Sequence, residues 1–488
     1  AVLMAVLALV LALALVEMLL PAFGGVLQRS IAFHYLADWR LLLVVLGTAV
    51  IAGLVSGLYP ALVLSGFRPA GVLRANSSGQ GGSGRLRGML VVLQFAVSIG
   101  LGIAALVVFS QIGYARNIGL GFDCESVLIV GGGGRVTADG RGSFVQTLRA
   151  NPGIQAIGMA SYMPFDNGES NVTVQVPGRP DKLIINHIEI SPNLPEVLDM
   201  RLVAGRLLSD ARADDRMDVR AVYADGHINA TPQNEGHNIL VNQAAAARMG
   251  FTPQDAVGKT VLMMQNHVRI AGVLADANFR GARELIRPVI FDYDPKLSLS
   301  LALRLRPGSV PETLAFIDKS WRAFSPVAGI QRRFLDESFD KLYQADQRQG
   351  TMFGIFVVVA VVIACLGLFG LAAFTAGRRT REIGIRKAFG ARDRDVLRLL
   401  LWQFSIPVLM ANLLAWPIAW YYLHRWLEGF AYHISLNPLY FAAVGAVALL
   451  IAWATVLPPA LRVARANPIH ALRHASARSP PALCRPAA

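Results

Sequence analysis

Few residues in this sequence have the types and spacing of a reactive site. Residues 258–260 read GKT, like the end of a phosphate-binding loop, but Pro253 stands where that motif needs its earlier glycine. His470 and His474 have a spacing that suits a metal site on a helix, yet no acidic side chain or third ligand accompanies them. The glycine run at 131–134 lacks the helix start that a dinucleotide site needs. The sequence therefore predicts no catalytic residue, no cofactor site and no metal site in this chain.

Composition places the chain in a membrane. Hydrophobic residues make up 54% of the sequence, charged residues only 16%, and the mean hydropathy is +0.46. The net charge of +14 would suit a nucleic-acid partner. However, 111–349 holds 26 basic and 26 acidic residues, and the excess comes from the short segments 64–87, 377–398 and 460–488. Basic residues confined to alternate loops set membrane topology, so we expect membrane lipid around the chain and no nucleic-acid partner.

The apolar segments predict about six transmembrane helices. Each is long enough to span the hydrocarbon core or nearly so. They lie at 1–20, 41–59, 88–110, 353–374, 399–423 and 439–456. Within the fifth segment, helix packing and a kink account for the unusual residues Asn412, Trp416 and Pro417.

Residues 113–349 form one long polar block between the third and fourth apolar segments. Apolar residues at helical spacing predict a helix at 312–324, and 334–349 reads as a stalk helix that enters the next span. Strand patterns occur at 126–130, 171–176, 183–190, 268–274 and 301–305. The mixture predicts an α-helical membrane protein with one α+β extracytoplasmic domain inserted between its third and fourth helices.

The basic segment 377–391 reads GRRTREIGIRKAFGA. Each cation would cost roughly 2.5–3.5 kcal/mol at the bilayer centre, so the segment must lie at the membrane surface, on the cytoplasmic side by the positive-inside bias. One interpretation is an anchor that only sets topology, which needs charge but no particular apolar or glycine positions. Here Gly384 and Gly390 interrupt the helix pattern, and further apolar contacts are offered by Ile383, Ile385 and Phe389. This order of residues favours a role beyond anchoring.

The stretch 379–391, RTREIGIRKAFGA, resembles the signature of the MacB/FtsX-type ABC permease family. The resemblance continues to about residue 475, through QFSIPVLMANLLAWPIAWYYLHRWLEGFAYHI and ANPIHALR. It implies that the segment lies against a separate cytoplasmic ABC ATPase, which would bind the ATP and magnesium. The coupling residues that it implies are Arg381, Glu382, Ile383, Gly384, Ile385, Arg386, Lys387, Phe389 and Gly390. Among these, we expect Glu382 and Arg386 to supply polar contacts and the isoleucines and Phe389 an apolar footing.

An internal repeat relates 60–74, PALVLSGFRPAGVLR, to 459–473, PALRVARANPIHALR. Both copies follow an apolar segment on its basic side, which suggests duplicated halves. The family has a four-helix unit that is sometimes duplicated, so we expect this chain to be the C-terminal part of a longer protein. The predicted division is 1–76 as the last two helices of a first unit, 77–87 as a flexible cytoplasmic linker, 88–112 as a transmembrane helix, 113–349 as the extracytoplasmic domain with its stalk, 350–459 as a three-helix FtsX-like domain containing the coupling segment 377–398, and 460–488 as a basic tail.

Three functions are compatible with this pattern. The first is a permease subunit in the bacterial inner membrane, which transmits ATP-driven motion of its ATPase to the extracytoplasmic domain for export or extraction of a substrate. The second is a membrane-anchored regulator or scaffold that controls an extracytoplasmic partner and moves no substrate. The third, an ion-coupled transporter, would need paired charges or broken helices at the midplane, and the sequence shows neither. For the first function, a periplasmic adaptor or a substrate protein would be a further partner.

Overall fold

The structure is a computed structural model that describes residues 2–27, 39–65, 81–131, 138–166, 168–217, 236–264, 266–294, 300–326, 329–378 and 380–465. Contacts divide the chain into two compact units. The membrane unit comprises Ala1–Val108, Gln347–Leu423 and Leu436–Ala488, and the outer unit comprises Phe109–Asp346 and His424–Ser435. Several predicted features lie outside the described residues, namely Arg379, the glycines after 131, His470, His474 and the tail beyond 465.

Twelve helices and eleven strands form the described chain. The helices are α1 Val2–Leu27, α2 Trp39–Ser65, α3 Gly81–Asn117, α4 Ala138–Arg149, α5 Leu194–Val197, α6 Gln243–Met249, α7 Pro253–Ala256, α8 Val310–Phe324, α9 Leu335–Arg378, α10 Thr380–Ala388, α11 Asp393–Leu427 and α12 Pro438–Ala464. The strands are β1 Val127–Gly131, β2 Ile154–Ala160, β3 Asn171–Gln175, β4 Lys182–Glu189, β5 Leu202–Gly205, β6 Asn238–Asn242, β7 Thr260–Met263, β8 Asn266–Leu274, β9 Val289–Asp292, β10 Ser300–Leu305 and β11 Gln331–Phe334. All five strands and the helix predicted at 312–324 are present.

Four helices in the described part of the chain are long and apolar enough to cross a membrane. They are Gly88–Asn117 of α3, Leu335–Thr375 of α9, Asp393–Leu427 and Pro438–Ala464. Helices α1 and α2 contribute the shorter apolar stretches Leu3–Met18 and Leu43–Leu54. The predicted stalk and fourth span form one continuous helix, α9. The α-helical membrane class is therefore confirmed, with four of the six predicted spans meeting the length requirement.

Helix α3 differs from the sequence prediction at its start. The described part of α3 starts at Gly81, so residues 81–87 are helical although composition assigns 77–87 to a flexible linker. Extending an existing helix into glycine costs only roughly 1 kcal/mol per residue, because the helix is already nucleated in the apolar span. Glycine content alone therefore does not show that a segment beside such a helix is flexible. Much of each repeat copy, 66–74 and 466–473, lies outside the described residues. The duplication itself stays a prediction.

Helices α11 and α12 pack antiparallel through polar and small residues. The Trp416 and Phe441 rings are 6.1 Å apart, and a methyl group added at Gly445 would lie 2.3 Å from Oδ1 of Asn412. The Asn412 side chain donates to the Val408 carbonyl and accepts from Nε1 of Trp416, each at 2.9 Å. Its polar atoms are thus satisfied inside an apolar helix pair. The interpretation of Asn412 and Trp416 as packing residues is confirmed.

The outer unit contains two sheets. Strands β11-β1-β10-β2 form an antiparallel sheet, with α4 and α8 packed on it through a core that includes Phe144 and Trp321. Strands β5-β8-β6-β9-β4-β3-β7 form the second sheet, in which β7 also pairs with β8. This additional pairing closes six of the strands into a ring, so that their edges are hydrogen-bonded. A further core cluster contains residues of both sheets, including Ile129 of β1 and Phe291 of β9, and it joins them into one α+β domain.

A buried ion pair lies between the parallel strands β4 and β9. Nε2 of His187 is 2.9 Å from Oδ1 of Asp292, and the two residues are 2% and 0% exposed. Burial opposes the charged imidazole, but the charge of Asp292 outweighs it, with a smaller contribution from Glu189 at 3.7 Å. Together they raise the pKa of His187 to about 9. The imidazolium therefore holds two core strands together at neutral pH.

We expect this ion pair to make the outer unit sensitive to alkaline pH. Because the folded pKa of about 9 exceeds the unfolded value of 6.5, the stabilisation is complete below pH 6.5 and is lost as the pH rises through 9. The shift corresponds to about 3 kcal/mol. Hydrogen exchange of β4 and β9 in the full chain, corrected for intrinsic rates, should show this decline. His187→Gln should abolish it, and His267→Gln, on the exposed side of β8, should retain it; an equal decline in all three proteins would contradict the assignment.

Gly445→Ala should destabilise the α11–α12 pair. The added methyl group collides with Asn412, and overpacking of this kind costs about 1–3 kcal/mol. Gly370→Ala in α9 is the matched control, since an added methyl group there has no neighbour within 4 Å. Thermal unfolding of the full chain in one detergent should give a lower midpoint for Gly445→Ala only. Equal midpoints would show that the helices separate freely at this position.

Candidate functional site

Helix α10 presents one exposed face that combines charge and apolar surface. Glu382, Ile385, Arg386 and Phe389 follow one another at intervals of three and four residues, so they share a side of the helix. Phe389 is 87% exposed and Ile385 is 42% exposed. Nη2 of Arg386 lies 2.8 Å from Oε1 of Glu382, and both side chains are about half exposed. The structure therefore brings both predicted polar residues and two of the three predicted apolar residues onto one accessible surface, which we call the coupling face.

The opposite face of α10 is fixed within the membrane unit. Ile383 is only 3% exposed, so in this structure it packs inside the chain and is no part of the predicted accessible footing. Nζ of Lys387 lies 2.7 Å from Oδ1 of Asp393 at the start of α11 and also donates to the carbonyl of Ala464 at the end of α12. Cations near the last carbonyls of a helix are favoured by its dipole. Lys387 is thus a positioning residue for the coupling face.

Gly390 ends α10 in a left-handed backbone conformation, which glycine adopts more easily than other residues. Its φ is +93°, its N–H donates to the carbonyl of Lys387, and the N–H of Ala391 donates to the carbonyl of Arg386. These two bonds form a Schellman motif with glycine in the left-handed position. Gly384, in contrast, lies inside α10, so the predicted interruption there is wrong. A single glycine in a helix interior lowers helix stability by only about 1 kcal/mol relative to alanine, so it does not end the helix.

Arg381 and Gly384 belong to the predicted coupling residues, and Asp393 follows them at the start of α11. The side chain of Arg381 and the exposure of Gly384 lie outside what the structure describes, so the predicted coupling role of both residues stays a prediction. Helix α11 begins at Asp393, and Oδ2 of Asp395 accepts from the N–H of Arg392 at 3.0 Å. A carboxylate three residues into a helix often makes this return contact. Asp393 is left free to bind Lys387.

In the outer unit, the segment His424–Ser435 is bound to the end of α3. Gln111 is fully buried; its Nε2 donates to the carbonyl of Tyr432 at 3.0 Å, and its Oε1 accepts from the N–H of Ile434 at 2.9 Å. The side-chain amide of Gln111 therefore makes one donor and one acceptor bond to the backbone of the loop, as a strand does with its neighbour in a sheet. A lone glutamine near the end of an apolar helix was the available signal in the sequence, but its partner is 321 residues away along the chain.

The backbone N–H and carbonyl of Ala282 join this loop to the stalk. Its N–H donates to the hydroxyl of Tyr343 at 2.7 Å, and its carbonyl accepts from the N–H of Tyr432 at 3.0 Å. Arg283 strengthens the junction, because its guanidinium lies 4.3 Å from the centre of the Phe430 ring and 2.7 Å from Oδ1 of Asp346. Sequence reasoning did not identify these residues, because none belongs to a recognisable motif.

The C-terminal part of the chain is similar to a known permease family. Residues 354–468 match the family model described as FtsX-like permease C-terminal. This region includes most of α9 and all of α10, α11 and α12. The predicted resemblance to MacB/FtsX-type permeases is therefore confirmed for this region, and the chain is a multi-pass inner-membrane protein.

Characterised relatives are similar to this chain over part of its length. The macrolide export ATP-binding/permease protein MacB of Sodalis glossinidius is 27% identical over 254 residues, covering 48% of this chain and 38% of that protein. MacB 2 of Aeromonas hydrophila is 24% identical and covers 45% and 35%, respectively. The pyoverdine export protein PvdT of Pseudomonas putida is 30% identical over 177 residues, covering 34% and 25%. The chain thus spans about a third of the length of the first two relatives.

One solved structure similar to this chain is the periplasmic region of MacB from Actinobacillus actinomycetemcomitans. It is 14% identical, with a TM-score of 0.31, and the match covers 47% of this chain and 97% of that structure.

Replacing Gln111 with leucine should release the loop from α3. Two hydrogen bonds to a buried side chain are lost, each contributing about 1 kcal/mol, so the N–H of Ile434, which loses its acceptor, should exchange about 10–30-fold faster. Gln155→Leu makes the same change at an exposed position of β2 and should leave this rate unchanged. Amide hydrogen exchange of the full chain measures both. Unchanged exchange in Gln111→Leu would mean that other contacts hold the loop.

Proposed function

We propose that this chain is the permease subunit of an ABC system and that the coupling face of α10 binds a separate cytoplasmic ATPase. The observation that supports this proposal is the division of α10 into an exposed face and a fixed face. Glu382, Ile385, Arg386 and Phe389 are accessible to a partner, whereas Ile383 and Lys387 connect the helix to its own unit. A partner that moves α10 would therefore move α11 and α12 with it.

The same contacts suggest how motion would reach the outer unit. Helix α9 is continuous from Leu335 to Arg378, immediately before α10 in the chain. Its outer end carries Tyr343 and Asp346, which hold the peptide of Ala282 and the guanidinium of Arg283. ATP-driven movement at α10 would be relayed through this helix to the extracytoplasmic domain, for export or extraction of a substrate. Transmission of this kind needs rigid elements with two arrangements rather than a charged pore.

ATP hydrolysis is assigned to the partner. The GKT segment at 258–260 lies at the turn before β7 in the outer unit, far along the chain from the coupling segment. Gly258 adopts a φ of +81° there, which explains a glycine at this turn without any ligand. In this proposal, the permease contributes docking and transmission, and ATP and magnesium are held by the ATPase.

Glu382→Lys tests the proposal. We expect about tenfold weaker co-purification with the partner ABC ATPase, a loss of roughly 1.4 kcal/mol, because a partner cation would meet a like charge. ATP hydrolysis should become uncoupled from transport, while hydrogen exchange in the outer unit should stay unchanged.

An exchange of the two charges, Glu382→Arg with Arg386→Glu, separates two causes. It retains an ion pair within α10, whose members are four residues apart, but reverses the charges that a partner meets. If Glu382→Lys acts only by weakening the helix, the exchange should restore association. We expect it to remain defective. Full association of both variants would place the docking surface elsewhere and overturn the proposed role of the coupling face.

A further inference from the structure

A groove lies beside the first turns of α11 and extends toward α12. Its volume is about 800 Å³, within the roughly 300–1,000 Å³ of typical small-molecule sites, and it is open along one side. Its chemistry changes along its length from cationic to apolar. The residues that determine this are Arg394, Arg398, Leu399, Trp402, Ser405 and Trp453.

The cationic end consists of two arginines on one side of α11. Arg394 and Arg398 are one turn apart, roughly 6 Å along the axis, and both are exposed. Neither forms an ion pair with an acidic side chain in the part of the chain that the structure describes. Asp395 also lines the groove, but it accepts the backbone N–H of Arg392. The groove therefore retains a net positive charge at this end.

The apolar end follows one turn further into the span. Trp402 is four residues after Arg398 and hence on the same side of α11, and it is 64% exposed. Trp453 of α12 forms the facing wall, held by a hydrogen bond of 2.9 Å from its Nε1 to Oγ of Ser405. Both indoles belong to helices that are apolar enough to cross the membrane. An apolar chain lying along them would cover exposed aromatic surface.

We propose that this groove binds an anionic phospholipid of the cytoplasmic leaflet. Its phosphate would lie between the Arg394 and Arg398 guanidinium groups, which match phosphate oxygens in geometry and charge. One acyl chain would follow Trp402 and Trp453 toward the membrane centre. A basic pocket between transmembrane helices on the cytoplasmic side is the expected setting for such a headgroup. The charge order of the groove favours an amphiphile over an acidic protein surface, which would leave the indoles uncovered. The inference is independent of where the ATPase docks.

Native mass spectrometry of the full chain tests this site, with phosphatidylglycerol and phosphatidylcholine of identical acyl chains as probes. We expect wild-type protein to retain phosphatidylglycerol about tenfold more strongly. The double variant Arg394→Gln/Arg398→Gln should bring the ratio close to one, and each single variant should lower it about threefold. Arg392→Gln removes the same charge at the same helix end, but this residue does not line the groove, so the ratio should stay at the wild-type value.

Two further measurements distinguish the site from general surface charge. Trp402→Ala should weaken retention of both lipids and leave the preference for phosphatidylglycerol intact. Added salt should lower the wild-type preference but not that of the double variant, since screening acts on the two arginines. The proposal is overturned if the double variant keeps the preference or if Arg392→Gln loses as much as either single variant. It is also overturned if the double variant binds both lipids normally and only loses the ATPase.

Discussion

The ammonium group of Lys387 is the contact on which the arrangement of the coupling segment depends. It binds the Asp393 carboxylate at the start of α11 and the last carbonyl of α12, so one side chain joins three helices. Lys387 is only 15% exposed, which limits the screening that weakens ion pairs at the surface. With this face of α10 held inward, the side chains on the other side of the helix face outward. The composition of the coupling face thus follows from the position of a single cation.

A comparable constraint acts at the other end of the long helices. Backbone groups of the segment His424–Ser435 need partners, and Gln111 and the peptide of Ala282 supply them. The Tyr343 hydroxyl of the stalk accepts from the N–H of Ala282 at 2.7 Å. Polar atoms placed in apolar surroundings leave few alternative geometries. The outer end of α9 is therefore held by satisfied polar groups.

Prediction from sequence succeeded where the information is local. Alternating apolar residues identified strands such as β4 and β10, and the apolar runs identified α9, α11 and α12. The glycine at position 390 marked the end of α10 because only the local backbone decides that bond pattern. The same reasoning failed at Gly384 and at Gly81, because both glycines are helical in the structure although the sequence predicted an interruption or a flexible linker there. Propensity is a weak guide once neighbouring turns are formed.

The sequence by itself determined the membrane class, the α+β outer domain, the surface position of the basic segment and the family resemblance. These properties depend on composition, periodicity and the cost of charge in lipid, which are properties of short stretches. Only the tertiary structure decided that Ile383 and Lys387 face inward, that Gln111 binds Tyr432, and that six strands close into a ring. It also decided that Arg398 and Trp453 line one groove. Each of these depends on contacts between distant parts of the chain, and such contacts exist only when the helices and strands pack.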